Sequence, residues 1–153
     1  MRLNNGKRRR SGATIVETAV VIMILIMFIF GIFEYGRFVM TRQLMENAAR
    51  EGARWAVVHT YDGTTAMVQD QADQKLSLGR NQLVGYLKTS NITVFAADTN
   101  GNVISGKAWT DTGFGENIGV SITGTYKPSL PNLLLWKTSF TVSTKAVMAS
   151  EAN

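Results

Sequence analysis

Fifteen consecutive residues, Ala19 to Phe33, carry no polar side chain, and no other stretch restricts so tightly what this chain can fold into. As a helix rising about 1.5 Å per residue they span roughly 22 Å, short of the ~30 Å hydrocarbon core of a bilayer. Counting from Ala13 gives twenty-one residues and roughly 31 Å, which is enough to cross if Glu17 is accommodated in or against the membrane. An ionised carboxylate at depth costs on the order of a few kcal/mol. Two readings of Glu17 follow: near the helix end its carboxylate reaches the headgroups, or it waits for a positive partner.

Charge is distributed as this segment requires. The chain is formally +5 with a pI near 9.7, which by itself would invite nucleic acid as a partner. Yet Arg2, Lys7, Arg8, Arg9 and Arg10 stand in the first twelve residues with no acid, and the remainder holds eleven bases and eleven acids. The excess charge thus lies just ahead of the apolar run, where it retains a segment on the cytoplasmic side. The expected orientation is N-terminus in the cytoplasm and everything beyond about residue 36 outside, with no nucleic-acid binding. A cleaved secretory signal would end in a small-residue A-x-A site; here Phe33 is followed by Glu34, Tyr35, Gly36 and Arg37, so the segment is expected to stay attached. Without cysteine there is no disulfide framework, so the outer part depends on its own core or on neighbours.

Helical periodicity runs on past the apolar segment. Phe38, Met45, Ala48, Ala49, Gly52, Ala53 and Ala56 recur at spacings of three, four and seven, predicting one helix from Ala13 to about Val58. Its outer half carries small residues between Glu46, Arg50, Glu51 and Arg54, with Glu46 placed to attract Arg50. Glu34, Arg37, Ala48, Ala49, Gly52, Ala53 and Ala56 make up a candidate helix-packing surface, for another subunit or for the protein's own sheet. After the Asp62-Gly63 turn a second helix is expected from Thr65 to about Lys88, with Gly79 inside it. The period then changes to two at Ile92, Val94 and Ala96, and Asn100-Gly101 favours a tight hairpin with a weak return strand over residues 102–107. A loop from Trp109 to Asn117 precedes a strand containing Ile118, Val120, Ile122 and Tyr126. Pro128, Pro131 and an apolar knuckle at Leu133 to Trp136 lead to a last strand from Thr138 to Met148. Helices first and strands afterwards predict an α+β fold, with a small antiparallel sheet of three to four strands laid on a long N-terminal helix.

No pattern for catalysis emerges. His59 has no acid or serine at a recognisable spacing, and nucleophile-elbow, zinc-protease, P-loop and dinucleotide motifs are all missing. The reading is therefore non-enzymatic, with no catalytic residues, metal ligands or cofactors. Trp55, Trp109 and Trp136 are expected as core or interface anchors. Asn91-Ile92-Thr93 matches a glycosylation sequon.

Two stretches bear a family resemblance. Lys7 to Gly12, then Ala13-Thr14-Ile15-Val16-Glu17 and the apolar run, resemble a type IV prepilin-like N-terminus, with a basic leader, a glycine and a glutamate fifth after it. Gly31-Ile32-Phe33-Glu34-Tyr35-Gly36-Arg37 and Asn47-Ala48-Ala49-Arg50-Glu51-Gly52-Ala53-Arg54-Trp55-Ala56 resemble the TadE-like family of tight-adherence pilus assembly proteins. The resemblance implies a bacterial pseudopilin or minor pilin of the inner membrane, cut between Gly12 and Ala13 by a prepilin peptidase. It also implies that Glu17 pairs with the new amino group of Ala13 on a neighbouring subunit, where opposite charges in low dielectric attract strongly. Partners would be the membrane, other pilin or pseudopilin subunits and the assembly platform. The implied organisation is a leader at 1–12, a transmembrane helix at 13–36 and an extracytoplasmic domain at 37–153. The alternative is an anchored binding domain that uses the loop at Trp109 to Asn117 and never enters a filament.

Overall fold

A computed structural model describes residues 11–80, 87–128 and 139–151. Its elements are α1 (Ser11–Val58), α2 (Thr65–Arg80), β1 (Leu87–Ala97), a single 3-10 turn (Trp109–Asp111), β2 (Asn117–Tyr126) and β3 (Phe140–Ala149). The strands form one antiparallel sheet in the order β1-β2-β3. The fold is the expected α+β arrangement of a long helix, a second helix and a three-stranded sheet.

α1 is 48 residues long, about 72 Å at the usual rise. Its first half contains an 18-residue window of mean hydropathy 2.8 with none of it buried. Beyond Phe33 one stripe turns inward: Glu34, Thr41, Met45, Ala48, Ala49, Gly52, Ala53 and Ala56 are all buried. This stripe faces α2 and the inner face of the sheet, so the small residues of the candidate packing surface lie against the chain's own domain. Gly52 shows why they are small: a Cβ there would stand 3.2 Å from Ala72 Cβ and 3.5 Å from Val120 Cγ1. Both neighbours are themselves enclosed in the core, so a bulkier residue would have to push the elements apart.

The remaining core comes from Val68, Ala72 and Leu76 of α2 and from Ile92, Ile118, Val120, Ile122, Tyr126 and Val142 of the sheet. Each fully buried Val, Leu or Ile among them is worth about 1.5–3 kcal/mol relative to exposure. α2 is capped by Thr64, whose Oγ1 accepts the Met67 N–H at 3.4 Å.

Several boundaries differ from the sequence reading. α1 starts at Ser11, so Gly12 and Ala13 both lie within the helix. α2 is described to Arg80, and Leu87 and Lys88 belong to β1, not to a helix, because they pair with Tyr126 and Thr125. Local helical periodicity was outcompeted there by a ladder to a strand far along the chain. The Asn100-Gly101 turn forms, with Gly101 at φ 77° and its N–H on Asp98 O at 2.9 Å. The return strand reduces to a single bridge, Ala97 to Val103. Leu83, Pro131 and the knuckle at residues 133–136 lie outside the described residues.

Direction along the rod follows from the ladders. Tyr126 at the end of β2 touches Glu34 near the apolar segment, whereas Glu151 N donates to Val57 O at 3.1 Å at the far end of α1. The turn at residues 59–64, the loop at residues 98–116 and Ser150 therefore gather at the end distal to the apolar segment.

Candidate functional site

Two places along α1 combine chemistry with position: the exposed apolar segment with Glu17, and the junction at which that segment meets the folded domain. In the first, Ile15, Val16, Met23, Phe28, Ile32 and Phe33 are all at least 64% exposed, the pattern of a helix made to be covered by lipid or by neighbouring helices. Glu17 is exposed on the same helix, and Gly12 has nothing within 4 Å of where a Cβ would stand. Next to Glu17, the Thr18 hydroxyl donates back to Thr14 O at 2.8 Å, which removes one polar group from contact with the surroundings.

The junction begins one residue after the apolar run. Glu34 is 7% exposed and accepts a hydrogen bond from the Tyr126 hydroxyl on Oε1 at 2.5 Å. Its other oxygen lies 3.5 Å from Arg37 Nη1, one helical turn on. The Tyr126 ring is fully buried and packs edge-on against Phe38, with centroids 5.6 Å apart, while Phe140 completes the cluster at 5.5 Å from Phe38 and 5.2 Å from Tyr126. Next along the stripe, Thr41 is buried and donates its hydroxyl to Arg37 O at 2.9 Å. A carboxylate held by a phenol and a guanidinium under an aromatic lid thus bolts the sheet to the helix where the apolar segment ends.

Burial first, and then the Glu34 carboxylate that accepts its proton, push the Tyr126 phenol well above its usual range. A raised folded-state value means that the group's contribution is intact below the unfolded value, about pH 10, and is lost as pH rises beyond it. Denaturant midpoints measured from pH 8 to 11.5 are expected to fall above about pH 10, with a shallower fall in Tyr126→Phe. Superimposable profiles for the two proteins would count against this coupling.

Sequence reasoning placed Glu34 and Arg37 in a packing surface but did not connect them to Tyr126, which is 92 residues away from Glu34. One signal was available: Glu34 lies on the same helical stripe as Phe38, Thr41, Met45 and Ala48, and so had to be buried with them. Glu46 pairs with Arg42 at 3.2 Å, not with Arg50 as the spacing suggested, and Arg50 is exposed.

At the distal end, His59 stacks on Trp55 with centroids 4.0 Å apart and the planes 6° from parallel, and its Nδ1 lies 3.0 Å from Trp55 O. Trp109 is buried and donates Nε1–H to the Thr65 hydroxyl at 3.0 Å. The distal loop is held by Asp98, whose carboxylate accepts the N–H groups of Asn100 and Asn102. The Asn102 backbone N–H, followed by its side-chain amide, holds the Asp98 carboxyl below the usual carboxylate range. Lys107, together with the Gly113 N–H, does the same for Glu116. Within the loop the 3-10 turn is closed by the Thr112 hydroxyl on Trp109 O, and Phe114 stands 74% exposed. Among the described residues no group of three or more His, Cys, Asp or Glu could hold a metal ion.

No curated protein and no solved structure matches the chain. Residues 12–54, which carry the exposed apolar segment, the Glu34–Arg37 junction and most of the small-residue stripe, match the family model described as TadE-like protein, the family this stretch resembles.

Proposed function

We propose that this chain is a non-enzymatic structural component of a tight-adherence pilus apparatus: a pseudopilin or minor pilin anchored in the bacterial inner membrane by residues 13–36. Its N-terminus faces the cytoplasm, and residues 37–153 form the outer domain. What carries the reading is that an exposed apolar helix runs without a break into the helix that organises the folded domain, and that the TadE-like match covers this continuous rod. An unbroken rod of this kind transmits position: whatever the membrane half packs against sets where the outer domain stands. By the same reading Glu17 pairs with the amino group of Ala13 on a neighbour after removal of residues 1–12, since a charge in lipid is costly and an opposite charge offsets that cost.

Intact-mass measurement of the protein extracted from membranes of a host with an active prepilin peptidase tests the first step. A mass lacking residues 1–12 is the expected result, and a full-length mature protein removes the main support for a processed subunit. In the same host, Glu17→Gln is expected to insert normally but to co-purify with other pilus components at least five-fold less. Undiminished co-purification would leave Glu17 as a headgroup-facing residue and favour the anchored binding domain.

A further inference from the structure

The outer half of α1 has a second face. Opposite the buried stripe, Gly36, Met40, Gln43, Asn47, Arg50, Arg54 and Val58 recur at steps of three or four and are all exposed. This seam runs on from the exposed apolar segment along the same unbroken helix. Within it, Arg50 and Arg54 stand one turn apart, a like-charge spacing that weakens an isolated helix. Among the described residues the ion pairs are Arg37 with Glu34, Arg42 with Glu46 and Lys107 with Glu116, and none engages these two arginines.

Position excludes the obvious anionic surface as their partner. At the helical rise, Arg50 and Arg54 stand roughly 26 and 32 Å beyond Phe33, too far for lipid headgroups at the end of the apolar run, given a Debye length of about 8 Å at physiological salt. The complementary group is on the chain itself. Val68 and Ala72 of α2 both approach Gly52, with Val68 Cγ1 at 3.6 Å and Ala72 Cβ at 3.2 Å from its Cβ position. Asp70 lies between them in sequence and is exposed, so it stands at the height of Gly52, midway between Arg50 and Arg54, but on the outer side of α2. Two copies anchored in one bilayer share the same height above it, which brings Asp70 of one level with both arginines of the other.

We infer that the Arg50–Arg54 seam of α1 docks on the exposed side of α2 of a second copy, Met67, Asp70, Gln74 and Ser77, in a heterologous side-by-side contact. This rests on the reading of the chain as a membrane-anchored assembly subunit. An acid placed between two arginines relieves their repulsion and fixes which faces meet.

The test uses the full chain, which has no cysteine of its own, in phosphatidylcholine vesicles. Copies carrying Asn47→Cys are mixed with copies carrying Gln74→Cys and treated with a short bismaleimide. A mixed cross-linked dimer is expected in preference to either self-pair, with a yield that falls as salt is raised. Arg50→Glu with Arg54→Glu in the first copy, or Asp70→Arg in the second, is expected to cut the yield at least five-fold, and combining the reversed pair to restore more than half of it. Circular dichroism of each variant checks that these exposed substitutions leave the fold intact. A yield indifferent to the reversals, or not restored when they are combined, overturns the proposal. Neither result touches leader removal or Glu17-dependent co-purification, which test the assembly role separately.

Discussion

Arg37→Leu is expected to destabilise the outer domain by about 3 kcal/mol, the lower end of what removing one member of a buried ion pair costs. The lower end applies because the Arg37 side chain is 26% exposed, whereas the Glu34 side chain is 9% exposed. Without the guanidinium, Glu34 keeps the Tyr126 hydrogen bond, but its carboxylate loses its cationic partner under the aromatic lid. Denaturant unfolding in micelles, followed through the fluorescence of the partly and fully buried Trp55 and Trp109, gives the number. Glu34→Gln combined with Arg37→Leu is expected to recover more than half of the loss, because an amide oxygen still accepts the Tyr126 hydroxyl and no charge is left to solvate. A loss below about 0.5 kcal/mol for Arg37→Leu, the range of an ordinary surface change, would mean that the junction is held by the Tyr126 hydrogen bond and its aromatic contacts without help from the ion pair.

Gly63→Ala is expected to have an effect of similar size at the other end of the rod. A Cβ on Gly63 would stand within van der Waals exclusion of His59 O and 3.0 Å from both Trp109 Cη2 and Trp55 Cζ3. The obstacle is backbone, and that same carbonyl accepts the Gly63 N–H at 2.8 Å, so the turn cannot relax without losing its closing hydrogen bond. Overpacking of this kind costs about 1–3 kcal/mol, and the lost turn hydrogen bond adds about 1 kcal/mol. The expected readout is a lowered denaturation midpoint with a red-shifted tryptophan spectrum, since both indoles flank the site. Wild-type stability would show that the two rings and the turn shift aside together at no cost.

The junction and the turn illustrate how differently parts of this molecule could be read. α1 was legible because its signals are local: apolar composition over Ala19 to Phe33, then a stripe of small residues at helical spacing out to Ala56. β2 and β3 were legible for the same reason, with inward and outward residues alternating from Val120 to Tyr126 and from Phe140 to Lys145. The start of β1 was not, because Leu87 and Lys88 carry no strand pattern and owe their conformation to Tyr126 and Thr125 across the ladder. Nor was the return strand after Gly101: residues 102–107 offered a turn signal upstream but too few apolar positions to hold an edge beyond the one bridge at Val103.

For the candidate site the division is sharper. The basic block, the apolar run and Glu17 are contiguous, so charge and hydrophobicity alone determined that this end is suited to a membrane and which side its leader is expected to face. The folding of the small-residue stripe onto the chain's own sheet, the bolt formed by Glu34, Arg37 and Tyr126, and the levelling of Asp70 with Arg50 and Arg54 were decided only by the tertiary structure. Each depends on residues far apart in sequence being brought to one height along α1, and that alignment is set by packing between elements, which no local pattern records.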